Sequence, residues 1–315
     1  MIRNKVHIAV LETDVPGQAV YVKRGLYSSQ FRVLLTAAAE RLNQNPGNLK
    51  HGPIDVRVTA FDVVGGLLPH LEELRTESHT CNGTDCSKSP RPIDAILVTS
   101  AAAAAYDDLH WIPALESFIQ TVHNKYPLVK MFGSCFGHQL IGQALLEKSP
   151  SLILKELSTK FSVQAQPIHE IGVQSITLHP AFASRFAPLA RFKQREPFRL
   201  QLIHGDVVAP SPLPLKEAEL LNACLPEPWI NIGSTEKCLI QGLYYPGRVL
   251  TLQGHFEFDA FATAELCLQF SRKFAWPSDL LASHLDGIWR ASWNGEEDDS
   301  KVAAEAVLLF FAGED

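Results

Sequence analysis

The chain has 315 residues and a formal net charge of −6, and 46% of its residues are apolar while 20% are charged. This composition is typical of a chain with a large packed core and excludes a globally disordered one. The negative charge argues against nucleic-acid and anionic-membrane partners, since both need a concentrated basic patch on the protein.

The N-terminal segment lacks the pattern of a targeting sequence. Its apolar run, VHIAV, is soon interrupted by Glu12 and is too short for the core of a signal peptide. No window reaches the roughly 18 apolar residues that a membrane-spanning helix needs. We therefore expect a cytoplasmic protein in a reducing compartment, where its six cysteines would not form a disulfide framework.

Strand and helix patterns alternate through the first half of the chain. A turn at Pro16-Gly17 follows the first strand. The alternation predicts a parallel sheet with helices on both faces. Apolar periodicity predicts strands at 5–13, 54–63, 93–100 and 127–132, and helices at 28–43, 111–125 and from about 137 onward.

The second half has shorter strand-like runs, which predict antiparallel additions before the chain returns to the central sheet. A helix over 259–274 follows, and the tail over 296–315 has an acidic start before an apolar helix. We expect one α/β domain over 1–315, with a core over about 5–275 and a helical extension over 276–315. The short runs cover 162–168, 173–179, 198–208, 237–245 and 248–256.

A cysteine stands where the fourth predicted strand meets its helix, in the segment LVKMFGSCFGHQLIGQALL. Gly133 and Gly137 flank Cys135 and would let the backbone pass through a tight, strained turn. The start of the helix would favour the thiolate, and the Phe136 amide would lie where an oxyanion forms. Serine hydrolases place glycines around their nucleophile at the same spacing. The alternative is a buried structural cysteine beside a glycine-rich turn.

A histidine and a glutamate follow the last predicted strand. His255 and Glu257 are two residues apart, so in an extended segment both side chains point to the same side. Glu257 would then hold one imidazole nitrogen while the other faces the thiol, as in a nucleophile, base and orienter triad. The alternative is a histidine that is merely solvated or hydrogen-bonded.

Three motifs together resemble those of the class I glutamine amidotransferase family. The nucleophile motif G-x-C-x-G-x-Q reads GSCFGHQ at 133–139, and the family's G-H-P-E reads GHFE at 254–257. Between them, His204-Gly205-Asp206 is similar to the H-G-D segment of the GMP-synthetase branch. The similarity covers about residues 5–275.

This resemblance implies a flavodoxin-like three-layer sandwich with a mostly parallel central sheet and a smaller antiparallel addition. It also implies a Cys-His-Glu hydrolase that cleaves the γ-amide of glutamine, or another γ-glutamyl conjugate, through a thioester. Gln139 would hold the amino-acid part of this small-molecule substrate. His204 and Asp206 would lie beside the pocket.

The sequence departs from the family at two positions. Ser100 and Ala101 stand where the family usually carries oxyanion-hole glycines, and losing one oxyanion donor costs roughly two to three orders of magnitude in rate. The alternative explanation of the alanine run is a helix start. Phe256 replaces the proline of G-H-P-E. Both changes suggest a pocket retuned for another substrate.

Several functions stay open. Without a synthetase domain in the sequence, freed ammonia would need a partner synthetase chain, unless the protein hydrolyses γ-glutamyl conjugates as the family's peptidases do. The chain is similar overall to fungal stand-alone members, some of them in specialised metabolism. It could also be a repurposed scaffold, or an enzyme that uses Cys135 on an ester or thioester. The phenylalanines near the motifs would suit a greasy substrate, or simply pack in the core.

No metal, nucleotide or flavin site is expected, because the histidines are scattered and no phosphate-binding glycine loop occurs. Cys81 and Cys86, with His79 nearby, lie in a polar, turn-rich segment that indicates a surface loop rather than a metal clip. The glycosylation pattern at Asn82 should stay unused without a secretory signal.

Overall fold

The computed structural model describes residues 3–76, 91–146, 160–194, 196–211, 225–293 and 298–315. The expectations for Cys81, Cys86, His79 and Asn82 fall outside these ranges. Within them, no helix combines the length and the apolar character needed to cross a membrane.

A large sheet forms the centre of the molecule, with the strand order β2-β1-β3-β4-β10-β9-β7. The five strands from β2 to β10 run parallel, and β9 and β7 are added antiparallel at one edge. The described strands of this sheet are β1 (Asn4–Glu12), β2 (Ile54–Asp62), β3 (Ala95–Val98), β4 (Lys130–Ser134), β7 (Ile230–Asn231), β9 (Leu243–Tyr245) and β10 (Val249–Leu252).

Helices cover both faces of this sheet. They are α1 (Gln18–Arg24), α2 (Tyr27–Asn43), α3 (Trp111–Lys125), α4 (Phe136–Leu146), α5 (Pro180–Ala183), α6 (Ala260–Lys273), α7 (Ser278–Trp293) and α8 (Ser300–Phe311), with 3₁₀ turns at Pro46–Asn48, Leu71–Glu73 and Ala187–Gln194. Strand β1 shows the two faces, since side chains alternate along a strand. Ile8 and Val10 enter the core beneath α2 and α8, whereas Ala9 and Leu11 enter the core beneath α3 and α4. The predicted three-layer α/β fold is confirmed.

The predicted antiparallel addition is a three-stranded sheet of order β6-β5-β8. It contains β5 (Lys160–Leu178), β6 (Phe198–Ser211) and β8 (Gly233–Ser234). The two runs predicted at 162–168 and 173–179 belong to one long strand, which a register shift between Ala165 and Glu170 interrupts without ending. β10 then returns beside β4 in the parallel sheet, as expected.

Two further local predictions differ from the structure. The turn at Pro16-Gly17 leads directly into a short helix, α1, which the sequence analysis did not anticipate. The run predicted as a strand over 237–245 is extended only in β9, because its first part closes a turn in which Thr235 N–H donates to the Cys238 carbonyl.

The C-terminal helix belongs to the main core. Phe310 and Phe311 of α8 are buried, and the Phe311 ring meets the Phe132 ring edge-on at 6.2 Å between centroids. Because Phe132 lies in β4, this helix packs directly beneath the strand that leads into Cys135.

Candidate active site

Cys135 occupies a strained corner between β4 and α4. Its φ angle is +49°, a left-handed conformation that residues other than glycine rarely adopt. A Cβ added to Gly133 would lie 2.4 Å from the Gly137 carbonyl, and one added to Gly137 would lie 2.4 Å from the Val98 carbonyl oxygen. The two glycines are therefore sterically required, and the predicted tight corner is confirmed.

The Cys135 sulfur is hydrogen-bonded to a residue that the sequence analysis missed. The side-chain amide of Gln253 donates to Sγ at 3.4 Å. Gln139 donates to the Gln253 side-chain oxygen at 3.1 Å and to the Asp206 carbonyl at 3.1 Å. Gln253 stands two residues before His255, and this same-side spacing is a signal that would have identified it.

His255 and Glu257 form a buried pair in the segment after β10. Imidazole Nδ1 lies 2.9 Å from Glu257 Oε1, and the Phe258 ring stacks on the imidazole at 4.2 Å between centroids. Glu257 Oε1 also accepts hydrogen bonds from Ser134 Oγ at 2.8 Å and from Ser100 Oγ at 3.2 Å. With Nδ1 directed to the carboxylate, Nε2 is left without a hydrogen-bond partner among the described residues.

The electrostatic environment favours a charged imidazole. Burial alone would lower the pKa of His255, but the negative charge of Glu257 and the Cys135 thiol outweigh it and raise this pKa to about 10. Glu257 therefore stabilises the imidazolium form of His255 next to the sulfur.

Cys135 and His255 line one small pocket. The cavity is small, with a volume of about 30 Å³. Most of its wall is apolar, and Asp14 is the acidic side chain in it. The lining residues are Asp14, Val15, Tyr27, Ser100, Ala101, Ala102, Cys135, Ile203, His255, Phe258, Leu266, Gln269 and Phe270.

The structure separates the predicted substrate-binding residues into two groups. Ser100 and Ala101 line the pocket. Phe136 does not line the pocket, because its ring packs in the core against the Trp111 ring. Phe136 is the first residue of α4, so its main-chain amide lies at the corner. Gln139 reaches the sulfur through Gln253 and does not line the cavity.

His204 and Asp206 also lie outside the pocket wall. His204 Nε2 is 3.1 Å from Glu170 Oε2, and the Asp206 carboxylate accepts a hydrogen bond from the Tyr106 hydroxyl at 3.1 Å. Their predicted roles beside a bound substrate, like that of Gln139, stay predictions.

Comparison with known proteins gives related sequences but no matching family model. A Schizosaccharomyces pombe protein provisionally named glutamine amidotransferase-like is 26% identical over 252 residues, which are 80% of this chain and 79% of that protein. A Saccharomyces cerevisiae protein provisionally named a glutamine amidotransferase is 28% identical over 211 residues, 65% of this chain and 64% of that protein. The chain is similar in sequence to these glutamine amidotransferase-like proteins. The resemblance drawn from its motifs is confirmed.

Solved structures show the same fold for this glutamine amidotransferase-like chain. A glutamine amidotransferase from Thermotoga maritima superposes with a TM-score of 0.53 at 13% identity, over 98% of this chain and 99% of that one. One from Methylobacillus flagellatus gives a TM-score of 0.54 at 15% identity, over 99% and 95% of the two chains. The class I glutamine amidotransferase fold is therefore confirmed.

Proposed function

We propose that this glutamine amidotransferase-like chain is a cysteine hydrolase that cleaves a γ-glutamyl amide, either in glutamine or in a γ-glutamyl conjugate. One observation carries the proposal. Cys135 sits on a strained corner and lines the same pocket as His255. The imidazole Nδ1 of His255 lies 2.9 Å from Glu257 Oε1. These are the parts that nucleophilic catalysis by cysteine needs.

The proposed reaction has two stages. The Cys135 thiolate attacks the amide carbonyl, and His255 Nε2 gives its proton to the departing nitrogen, so ammonia or an amine leaves. The γ-glutamyl group is then a thioester on Cys135. Water attacks this thioester, His255 takes a proton from it, and the thiolate leaves to release the free carboxylate.

Three features support stabilisation of the reacting groups. The Phe136 amide begins α4 and has no intrahelical carbonyl to donate to, so it is free to face the oxyanion. Gln253 donates to the sulfur and would stabilise the thiolate. Ser100 and Ser134 both donate to Glu257, which fixes the carboxylate and through it the orientation of His255.

The pocket also bears on the substrate. Asp14 is the acidic group of its wall and would pair with the α-ammonium group of a γ-glutamyl substrate.

The experiment is a direct comparison of two products. Purified protein is incubated with glutamine and, separately, with glutathione conjugates, while ammonia and released peptide are measured. Hydroxylamine is added to intercept the thioester as a γ-glutamyl hydroxamate. We expect one substrate to react and Cys135→Ala to abolish both product and hydroxamate. Absence of both products at high enzyme concentration contradicts the proposal.

A second candidate function rests on the apolar pocket wall. Val15, Ile203, Phe258, Leu266 and Phe270 all face the cavity beside Cys135, which suits hydrolysis of an apolar ester or thioester. A panel of acyl thioesters of increasing chain length would reveal this activity as a rate that rises with chain length and disappears in Cys135→Ala.

A repurposed, non-catalytic scaffold predicts different thiol chemistry. The triad geometry predicts selective alkylation of Cys135 by iodoacetamide near neutral pH, ahead of the buried Cys238 and Cys267. Equal, slow reaction of all thiols would favour the scaffold. No observation favours a partner synthetase chain, which stays a prediction.

A further inference from the structure

A second cluster of titratable side chains lies outside the active-site pocket. Glu170 on β5, His204 on β6 and Cys238 in the turn before β9 each offer one ligand atom, and these atoms all lie within 4.8 Å of one another. The three residues are 3%, 6% and 1% exposed. Among the described residues, this is the group whose side chains are arranged to hold a metal ion.

The hydrogen bonds of His204 determine which nitrogen carries its proton. Nδ1 faces the Asp206 carbonyl at 3.1 Å, and a carbonyl can only accept, so Nδ1 is the donor. In the neutral ring Nε2 is then an unprotonated acceptor, yet it lies 3.1 Å from Glu170 Oε2, a second acceptor. Two acceptors at this distance need a proton or a cation between them.

The same arrangement is found at metal sites, where a ligating histidine commonly donates its other ring N–H to a carbonyl or carboxylate. Zinc binds imidazole nitrogen and carboxylate oxygen at about 2.0–2.2 Å, so tetrahedral ligands are separated by roughly 3.3–3.5 Å. The 3.1 Å between His204 and Glu170 needs only a small adjustment to reach that separation.

Cys238 is held in place beside this pair. Its main-chain N–H donates to Thr235 Oγ1 at 3.1 Å, and its Sγ lies 3.3 Å from the Ile240 carbonyl, to which the thiol donates.

Among the described residues, one fully buried polar atom nearby lacks a hydrogen-bond partner. Gln241 donates to Glu170 Oε2 at 2.8 Å, and its side-chain oxygen is this unpaired atom. Buried unpaired polar atoms often mark a bound ion or water.

We propose that Glu170, His204 and Cys238 bind a single divalent transition-metal ion, with zinc preferred. A set of one sulfur, one nitrogen and one oxygen suits zinc better than magnesium or calcium, which bind oxygen ligands. Binding replaces the thiol proton of Cys238, and any proton on His204 Nε2, by bonds to the metal, and those protons pass to solvent.

The metal would join three segments of the chain. It ties β5 to β6 and to the turn at Thr235–Cys238. His204 and Gln139 share the Asp206 carbonyl, and Gln139 reaches the Cys135 sulfur through Gln253. Metal binding would therefore stabilise the part of the molecule that supports the nucleophile.

The test uses the full chain with Cys135→Ala, because the Cys135 thiol could bind metal itself. Metal-free protein is titrated with zinc in competition with a chromophoric chelator, and metal content is measured by elemental analysis. We expect one equivalent of zinc to be retained and the melting temperature to rise with zinc. Adding Cys238→Ser or Glu170→Gln should weaken binding by at least about 100-fold, whereas adding Cys267→Ala, a buried thiol in α6, should not.

Cobalt substitution removes any dependence on variants that fold poorly. In the Cys135→Ala protein with the cluster intact, bound cobalt(II) should show a thiolate-to-metal charge-transfer band at one equivalent. Absence of stoichiometric zinc or of this band would overturn the proposal. So would zinc binding that a folded Cys238→Ser protein retains. Neither result bears on hydrolysis by Cys135, which is assayed separately.

Discussion

Two groups of side chains in this molecule contain the same three residue types. Cys135, His255 and Glu257 lie at the sheet edge beside a small pocket, whereas Cys238, His204 and Glu170 lie in the interior of the antiparallel addition. In the first group the carboxylate holds Nδ1, and Nε2 has no hydrogen-bond partner among the residues that the structure describes. In the second group the carboxylate faces Nε2, and a backbone carbonyl holds Nδ1.

The difference shows that residue types alone do not define chemistry. Cys135 sits on a strained corner at the start of a helix and adjoins a cavity, so its sulfur can meet a substrate. Cys238 is 1% exposed, and its thiol donates to a backbone carbonyl. The first arrangement suits nucleophilic attack, and the second suits binding of an ion that needs no access for a large molecule.

Replacing Cys135 should have the largest effect on hydrolysis. If it had little effect, the proposed difference between Cys135 and Cys238 would be wrong. Cys135→Ala removes the atom that forms the proposed thioester, so we expect hydrolysis to fall by about 10⁴-fold or more. Product release is measured under saturating substrate. Cys267→Ala, which removes a buried thiol in α6, serves as the matched control and should retain activity. Appreciable turnover by Cys135→Ala would mean that the reacting group lies elsewhere.

The next test concerns the carboxylate. Glu257→Gln keeps the size of the side chain but removes the charge that stabilises the imidazolium of His255, so kcat should fall by about 10³-fold. Histidine resonances followed by NMR should show that the pKa of His255, raised to about 10 in the wild type, is lower in the variant. An unchanged titration would show that Glu257 does not control His255.

The same variant gives a pH dependence of stability. The folded-state pKa of His255 lies above the unfolded value of about 6.5. Its protonation therefore stabilises the fold fully below about pH 6.5, and that contribution is lost as the pH rises toward 10. The difference in free energy of unfolding between wild type and Glu257→Gln, measured in urea, should shrink over this interval.

The sequence predicted the first group better than the second for a physical reason. The Cys135 corner has a local pattern of glycines between a strand and a helix, and His255 and Glu257 are two residues apart. Glu170 and Cys238 have no such local pattern, and only the long antiparallel pairing of β5 with β6 and a turn near Thr235 bring them to His204. Interior contacts between distant segments depend on tertiary packing, which periodicity does not report.

The same reasoning applies to the fold. Helix α3 was predicted with its observed bounds, because its apolar side chains recur at helical spacing. Helix α1 was missed because it is only seven residues long and follows a Pro-Gly pair that is typical of a turn. The single strand β5 was predicted as two runs because its register shift disturbs the pattern in the middle.

The corner that distinguishes the two cysteines can be tested through its glycine. In Gly137→Ala the new Cβ would lie 2.4 Å from the Val98 carbonyl oxygen, so we expect a loss of about 1–3 kcal/mol in the free energy of unfolding. Gly287→Ala in α7 adds the same methyl group where nothing lies within 4 Å, and should be neutral or stabilising. Equal effects would mean that the close approach at the corner is not what constrains residue 137.

A smaller effect is expected from the amide that donates to the sulfur. Gln253→Leu removes the 3.4 Å hydrogen bond to Cys135, and a hydrogen bond to a charged group contributes about 1.5–3 kcal/mol. Alkylation of Cys135 by iodoacetamide should therefore slow by about tenfold near neutral pH. Gln120→Leu, whose amide instead donates to the Ala144 carbonyl, is the control. An unchanged rate would remove Gln253 from the proposed site.

Substitution of Ser100 should have the smallest effect on hydrolysis. Its direction distinguishes two interpretations of the loop after β3. If the missing glycine limits the oxyanion hole, Ser100→Gly should raise the rate of hydrolysis. If the serine hydroxyl matters because it donates to Glu257 at 3.2 Å, the same change should lower kcat by about threefold to tenfold, since Ser134 still holds the carboxylate when this hydrogen bond is lost. Ser100→Ala removes the hydroxyl without adding backbone freedom, so it should match the glycine variant. We expect the decrease, because Ser134 and Ser100 both hold the carboxylate that orients His255.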